Sequence, residues 1–435
     1  MRTGTVKMAR SPAFHAAHPV LSNFRAGGLQ EVSRRMIPKF TAILGVMIRK
    51  GALSVIDAAG RRREIGDGTA PCATIRLASS WLDRRLPLNP GLSLGEAYMA
   101  GSLAVEDGTI YDVLALLARN LDNLPRNSWA ALAARIGQRL KQRNPLGRAR
   151  RNVAHHYDLS DRLYELFLDR DRQYSCAYFS EPGMSLEAAQ QAKKRHVASK
   201  LLLDRPGLRV LDIGSGWGGL GLYLAAETAA DVTGVTLSTG QHRVSQARAE
   251  EAGLADQVRF RLMDYRTVQG RFDRIVSVGM FEHVGKRNYA EFFAKLRDLL
   301  EEDGVTLLHS CGYSDTPAPI NPFIRKYIFP GADTPSLSEV LPIIEKSGLI
   351  VTDVEILRLH YAETLRCWRQ RFCARWDEAA RLYDERFCRM WEFYLALCEV
   401  GFRYRSNMIF QMQLTRRLDT VPITRDYMFH WEQGG

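Results

Sequence analysis

The sequence predicts an α/β protein, built on a largely parallel sheet with helices on both faces and preceded by a smaller α+β domain. Three observations carry that prediction. From residue 209 onward, short apolar runs alternate with amphipathic segments, the pattern of strand–helix–strand units in a parallel sheet. One of those runs, Val210-Leu211-Asp212-Ile213, passes directly into Gly214-Ser215-Gly216-Trp217-Gly218-Gly219, a turn that brings backbone close to a ligand. Before residue 140 the pattern is different, with strand signals grouped first and helical spacing after them.

Residues 1–28 are small and polar with little periodicity and read as a loose tail. Residues 29–140 form the smaller domain. Within it 53–60 and 61–68 read as two strands around a turn, 73–77 as a third strand, and 111–120 and 129–140 as helices. Residues 141–152 are basic, carry Pro145 and Gly147, and read as a linker. Residues 153–435 form the larger domain. Its strands are expected at 209–213, 231–237, 258–263, 272–278 and 304–310, and its clearest helices at 218–227, 240–252 and 287–300. Aromatic residues from Trp368 through Phe372, Trp376, Tyr383, Phe387, Trp391 and Tyr394 then recur at mostly helical spacing, so a helical cover follows. Such a stripe is usually ordinary core, with the wall of an apolar channel as the alternative.

At 435 residues, with 46% hydrophobic and 25% charged residues, the chain can bury sizeable cores, which excludes a disordered protein. No apolar run approaches the roughly 20 residues of a membrane span, and the first 28 residues lack a signal-peptide pattern, so a cytoplasmic location is expected. Seven cysteines with no C-x-x-C pair argue against a disulfide framework and a structural zinc site, and no metal is expected. The net charge of +12 is unevenly spread. Residues 1–151 hold 24 Lys and Arg against 10 Asp and Glu, whereas the rest holds 36 against 38. Arg34-Arg35, Arg49-Lys50, Arg61-Arg62-Arg63, Arg84-Arg85 and the run from Lys141 to Arg151 suit an anionic surface, or are simply a solvated basic face. Stacking aromatics are sparse there and no nucleic-acid motif occurs, so anionic lipid is favoured over nucleic acid.

Ligands of parallel sheets sit beyond the carboxyl ends of the strands. Gly214, Gly216, Thr236, Asp264, Glu282 and His309 each fall at or just past such an end and converge on one crevice. Asp212 precedes the first glycine, and the third glycine comes one place earlier than in dinucleotide-binding loops. That spacing resembles the S-adenosylmethionine (SAM) loop of Rossmann-like methyltransferases, although a glycine-rich turn without a ligand has the same spacing.

Four longer motifs extend the resemblance. His156-Tyr157-Asp158-Leu159, Gln173-Tyr174-Ser175-Cys176-Ala177-Tyr178, Ser277-Val278-Gly279-Met280-Phe281-Glu282-His283-Val284-Gly285 and Lys326-Tyr327-Ile328-Phe329-Pro330 resemble the cyclopropane-fatty-acyl-phospholipid synthases and the mycolic acid cyclopropane synthases. The likeness begins near Leu92, includes Gly95-Glu96-Ala97-Tyr98-Met99, and runs to about Arg416. It implies transfer of a methylene from SAM to the cis double bond of an unsaturated phospholipid acyl chain. An alkene is an uncharged nucleophile with no proton to remove, so no activated nucleophile is expected. Alignment, cation stabilisation and a base for the added methyl are needed instead.

The resemblance implies that this base is a bound bicarbonate ion held by Cys176 through its carbonyl, Glu282, His309, Tyr361 and the backbone N–H of Cys311, where the family commonly has an aliphatic residue. A buried inert cysteine, a helix-start carboxylate, a core histidine and a core tyrosine are the plain alternatives. For SAM it implies Asp212, Gly214 and Gly216 with Tyr174 and Ser175 closing over the ligand, Thr236 and Gln241 on the ribose in place of an acidic residue, and Asp264 and Tyr265 beside the adenine. It also implies a homodimer and, with the basic N-terminal domain, a peripheral position on the inner face of the membrane. The same site giving a methyl-branched or methylene fatty acid, and an inactive lipid-binding protein, are the alternatives.

Overall fold

The structure is a computed structural model describing residues 39–124 and 159–433. The tail at 1–28, the helix expected at 129–140, the linker at 141–152, Arg34-Arg35, the basic run after Lys141 and the His156-Tyr157-Asp158 part of the first motif lie outside the described residues.

The N-terminal part contains α1 (Phe40–Met47), β1 (Ala52–Ile56), β2 (Arg62–Gly66), β3 (Cys72–Leu77), α2 (Ser80–Arg85), α3 (Pro90–Met99), β4 (Leu103–Asp107) and α4 (Ile110–Asn120). The expected strands and the helix at 111–120 are present. β4 and the two helices before it were not anticipated, because Pro90 and three glycines between 91 and 101 disguise the helical period. The strands form one sheet in the order β2-β1-β3-β4, with β1 antiparallel to β2 and parallel to β3. α4 starts at a capping box, in which Thr109 and Asp112 each satisfy a backbone N–H of the other.

The larger part holds α5 (Asp161–Glu165), α6 (Leu186–Lys200), β5 (Arg209–Ile213), α7 (Gly219–Thr228), β6 (Asp231–Thr236), α8 (Thr239–Glu251), β7 (Val258–Leu262), β8 (Phe272–Val278), α9 (Tyr289–Leu299), β9 (Leu300–Tyr313), α10 (Leu337–Ser347), β10 (Ile350–Ile356), α11 (His360–Ala374), α12 (Trp376–Leu382), α13 (Glu385–Tyr404), β11 (Asn407–Thr415) and α14 (Asp426–Glu432). Its seven strands run in the order β10-β11-β9-β8-β5-β6-β7. β5 to β9 are mutually parallel; β11 runs antiparallel to β9, and β10 antiparallel to β11. This is the expected Rossmann-like sheet with an antiparallel edge.

One expectation is corrected here. His309 was expected at the end of a strand over 304–310, but β9 continues to Tyr313 because β11 pairs with its whole second half, from Asn407 opposite Tyr313 to Thr415 opposite Val305. His309 still reaches the crevice, since it lies level with Val278, the last residue of the neighbouring β8.

The C-terminal helices cover the sheet and also hold the N-terminal part. α13 packs on α11, α4 and α3. Tyr98 Oη donates to Glu392 at 2.6 Å, and Arg389 donates to the Met99 carbonyl at 3.1 Å. Trp368, Phe372 and Trp391 are fully buried in a core shared with Leu44, Leu94 and Leu116. The aromatic stripe is therefore mainly core, each large ring removing apolar surface from water. No helix among the described residues is long and apolar enough to cross a membrane.

Candidate active site

Two adjoining cavities lie at the carboxyl ends of β5 to β8. The first is lined by all nine residues expected to hold SAM: Tyr174, Ser175, Asp212, Gly214, Gly216, Thr236, Gln241, Asp264 and Tyr265. Its floor is the turn after β5. Gly214 and Gly216 adopt φ of +86° and +56°, a region that strains other residues, and a Cβ on Gly214 would stand 2.8 Å from Met280. Gly218, also left-handed, caps α7 and directs its N-terminal N–H groups toward the turn. Thr236 Oγ1 donates to Gln241 Oε1 at 3.1 Å, joining the end of β6 to the start of α8. Asp264 caps the turn after β7 and is paired with Arg266 at 2.7 Å.

Asp212 is buried with one carboxylate oxygen, Oδ2, lacking any hydrogen-bond partner. Burial pushes its carboxyl up to about 7, with Lys193 pulling the other way. An orphaned buried carboxylate oxygen beside three left-handed glycines fits a polar, cationic ligand such as the methionine end of SAM. Sequence reasoning missed Lys193. It is wholly buried, donates to Gln173 Oε1 and to Ser175 Oγ at 3.0 Å, and burial lowers its ammonium to about 8. Its setting on α6 in a polar stretch gave no signal. Arg266 was likewise missed and also lines this cavity.

The second cavity is larger and mainly apolar. Cys176, Glu282, His309, Cys311 and Tyr361, the five residues expected around the anion, all line it. Its apolar wall is drawn from distant elements, including Leu44 on α1, Leu94 on α3, Leu117 on α4, and Leu397 and Phe402 on α13. Of the aromatic stripe only Tyr394 reaches it, and Tyr394 Oη is 2.8 Å from Tyr174 Oη.

Glu282 sits on the short turn Phe281–His283 beyond β8. Its Oε1 accepts the Cys311 N–H at 2.6 Å, while Oε2 is buried without a partner. The Cys311 amide expected to contact the anion is thus engaged by Glu282 itself. Burial raises the Glu282 carboxyl, opposed by that amide bond. Burial also holds His309 neutral, lowering its imidazolium to about 3. Both cysteine thiols are pushed up by burial, Cys176 out of the range of a working thiolate, so neither is poised as a nucleophile. Tyr361 packs edge-on against Trp368 and Phe402, which fixes its ring at the cavity wall. Glu282 Oε2, buried without a partner in a cavity that His309 and Tyr361 also line, fits a small anion that carries its own proton.

Tyr174, Ser175, Gly279 and His283 line both cavities. The segment carrying the first two is fastened on either side. Gln190 donates to the Ser175 carbonyl at 2.9 Å, the Ala177 N–H donates to Thr364 Oγ1 at 3.0 Å, and the Phe179 N–H donates to His360 Nδ1 at 3.0 Å. His360 and Thr364 belong to α11, the helix that carries Tyr361.

Comparison with known proteins identifies the family. A model of the mycolic acid cyclopropane synthetase family matches residues 145–412. The chain is 39% identical over 353 residues to the cyclopropane-fatty-acyl-phospholipid synthase of Escherichia coli K12, covering 81% of this chain and 90% of that one. It is 36% identical to the tuberculostearic acid methyltransferase UfaA1 of Mycobacterium tuberculosis, covering 86% of this chain and 91% of the relative. Among solved structures, the mycolic acid cyclopropane synthase CmaA1 complexed with SAH and CTAB aligns with a TM-score of 0.59 at 34% identity, covering 63% of this chain and 99% of that one.

Proposed function

The chain belongs to the mycolic acid cyclopropane synthetase family and is a SAM-dependent methyltransferase, and from that premise we propose that it transfers a methylene from SAM to the cis double bond of unsaturated phospholipid acyl chains. The observation that supports this reading is the shared wall of the two cavities: a polar pocket and an apolar one meet at Tyr174, Ser175, Gly279 and His283. A charged donor and a hydrocarbon acceptor need that juxtaposition.

Bound SAM supplies an electrophilic methyl group on a sulfonium. Asp212 balances the positive charge of the ligand, and the left-handed turn at Gly214 and Gly216 admits it close to the backbone. The apolar wall excludes water and holds the alkene in line, which lowers the entropic part of the barrier. Tyr361 presents a π face to the carbocation, and Glu282 supplies the negative charge that balances it. The proton of the added methyl is taken by a bicarbonate ion held by Glu282, His309, Tyr361 and the Cys176 carbonyl, with the Cys311 amide turning from Glu282 to the anion. Without an activated thiol or hydroxyl nearby, this site works by positioning and charge.

We further propose that residues 29–140 form a lipid-facing domain, that the excess basic charge in residues 1–151 draws the protein to anionic headgroups as a peripheral cytoplasmic protein, and that it works as a homodimer. A second product is favoured by one finding, the likeness to a relative named as a tuberculostearic acid methyltransferase: the same cation, if it loses a proton without ring closure, gives a methylene or methyl-branched alkene, and a saturated methyl branch then requires a separate hydride donor to reduce that alkene. Purified protein incubated with labelled SAM and unsaturated phospholipid vesicles separates these outcomes. Gain of one CH₂ with upfield ring protons supports cyclopropanation. The same gain with olefinic protons supports the second product, and no gain overturns both.

A further inference from the structure

Three residues of the antiparallel edge form one row across the sheet. Glu355 on β10 lies opposite Gln411 on β11, and Gln411 lies opposite His309 on β9. Directly opposed residues share a face, so their side chains can be joined sideways. They are. Lys200, the last residue of α6, is 1% exposed and donates from Nζ to Glu355 and, at 2.7 Å, to Gln411 Oε1. Gln411 Nε2 lies 3.1 Å from His309 Nδ1.

The chemistry of these atoms fixes every hydrogen in the row. An ammonium only donates, so the Gln411 atom facing Lys200 must be the carbonyl oxygen. The atom facing His309 is then the amide nitrogen, which also only donates. His309 Nδ1 must therefore accept, and the single proton of the neutral ring must sit on Nε2. We propose that Lys200 and Gln411 are positioning residues that lock His309 as its Nε2–H tautomer, making it a permanent hydrogen-bond donor to the anion of the apolar cavity and barring it from acting as the base.

Two further observations agree. The charged groups around the ring are chiefly Lys193, Lys200 and His196, which oppose a second proton, and Glu355, which favours one. Glu355 is itself occupied, by Lys200 and by His196 Nε2 at 2.7 Å, and His196 Nδ1 is in turn paired with Glu432. The carboxylates thus neutralise Lys200 and His196, while Gln411 stands between that charged cluster and His309. A ring with Nδ1 accepting and Nε2 protonated has no lone pair left for a substrate proton, so the deprotonation falls to the anion beside Glu282.

The catalytic part rests on the reading given under the proposed function, whereas the tautomer does not. The first test is therefore a long-range ¹H–¹⁵N spectrum of full-length protein labelled at histidine, with the His309 signals identified by their loss in His309→Gln. The expected pattern is a neutral ring protonated at Nε2; a proton on Nδ1 overturns the inference whatever the activity. The second test is Gln411→Glu, which places an acceptor at Nδ1. It should transfer the ring proton to Nδ1, lower kcat by about 10²-fold, leave KM for SAM unchanged, and introduce an acidic limb into the pH profile of kcat. Unchanged kcat and an unchanged profile would overturn the positioning role. Lys200→Arg should keep the Nε2–H signal and most of the activity, while Lys200→Met should lose both; equal activity in these two variants also overturns it. If the wild-type tautomer is as expected but vesicles gain no CH₂, the functional reading fails and the hydrogen-bond assignment stands.

Discussion

The two cavities beyond the carboxyl ends of the strands are made in opposite ways. The polar pocket takes most of its wall from residues 212 to 288, a single run of consecutive strand ends and turns that includes the left-handed glycines 214 and 216. The apolar cavity takes its wall from residues scattered between Phe40 and Ile409, most of them apolar. A pocket of the first kind is set by local rules of φ and helix capping. A pocket of the second kind exists only when helices far apart in sequence pack together, and it can be reshaped without disturbing the first.

The sharpest test of that division is Glu282→Gln. It should reduce turnover by about 10²- to 10⁴-fold while leaving SAM binding within twofold by calorimetry, because Glu282 lines the apolar cavity alone. Loss of SAM affinity would break the division. Gly214→Val should do the reverse and abolish SAM binding: its φ of +86° strains a β-branched residue, and the new side chain would meet Met280. A circular dichroism spectrum like that of the parent checks that the fold survives.

A smaller effect is expected from Leu397→Trp, which intrudes into the apolar cavity. KM for long-chain lipid should rise about tenfold with SAM affinity unaltered, at a stability cost of roughly 1–3 kcal/mol measured by denaturant titration. The smallest effect is a pH dependence. With its carboxyl raised to about 7, Asp212 is protonated below that pH in the free protein, and the cationic ligand favours its ionised form. SAM affinity should therefore rise as pH increases from 6 to 8, at most about tenfold per unit below the raised value, with uptake of the ligand releasing a proton. Asp212→Asn should bind more weakly and with a flat profile; a slope that persists assigns it elsewhere.

The same division explains what the sequence disclosed. The strands at 209–213 and 272–278 are found at their expected bounds, and the nine cofactor residues line one pocket, since glycine placement and strand ends are written in consecutive residues. β10 and β11 were not anticipated. Their partners are each other and β9, across connections that contain α11, α12 and α13, so pairing rather than pattern defines them. For the same reason the full length of β9, and with it the true position of His309, was hidden. Lys193 and Gln411 fall in stretches where the sequence predicted no element, and only the packed neighbours make them buried and specific. In the aromatic stripe, periodicity disclosed a buried face but not which rings meet the cavity, because helical spacing is the same for both.

The segment from Tyr174 to Phe179 has one more consequence, which concerns how the two walls are joined. It forms part of the wall between donor and acceptor, and its amides at 177 and 179 are tied to the side chains of Thr364 and His360 on the helix bearing Tyr361. A strand of chain held in this way cannot swing aside by itself. A movement that displaces residues 177 to 179 breaks those two bonds, and with them the segment's ties to the helix whose Tyr361 lines the apolar cavity. The wall of the polar pocket and the wall of the apolar cavity are therefore joined by the same pair of hydrogen bonds.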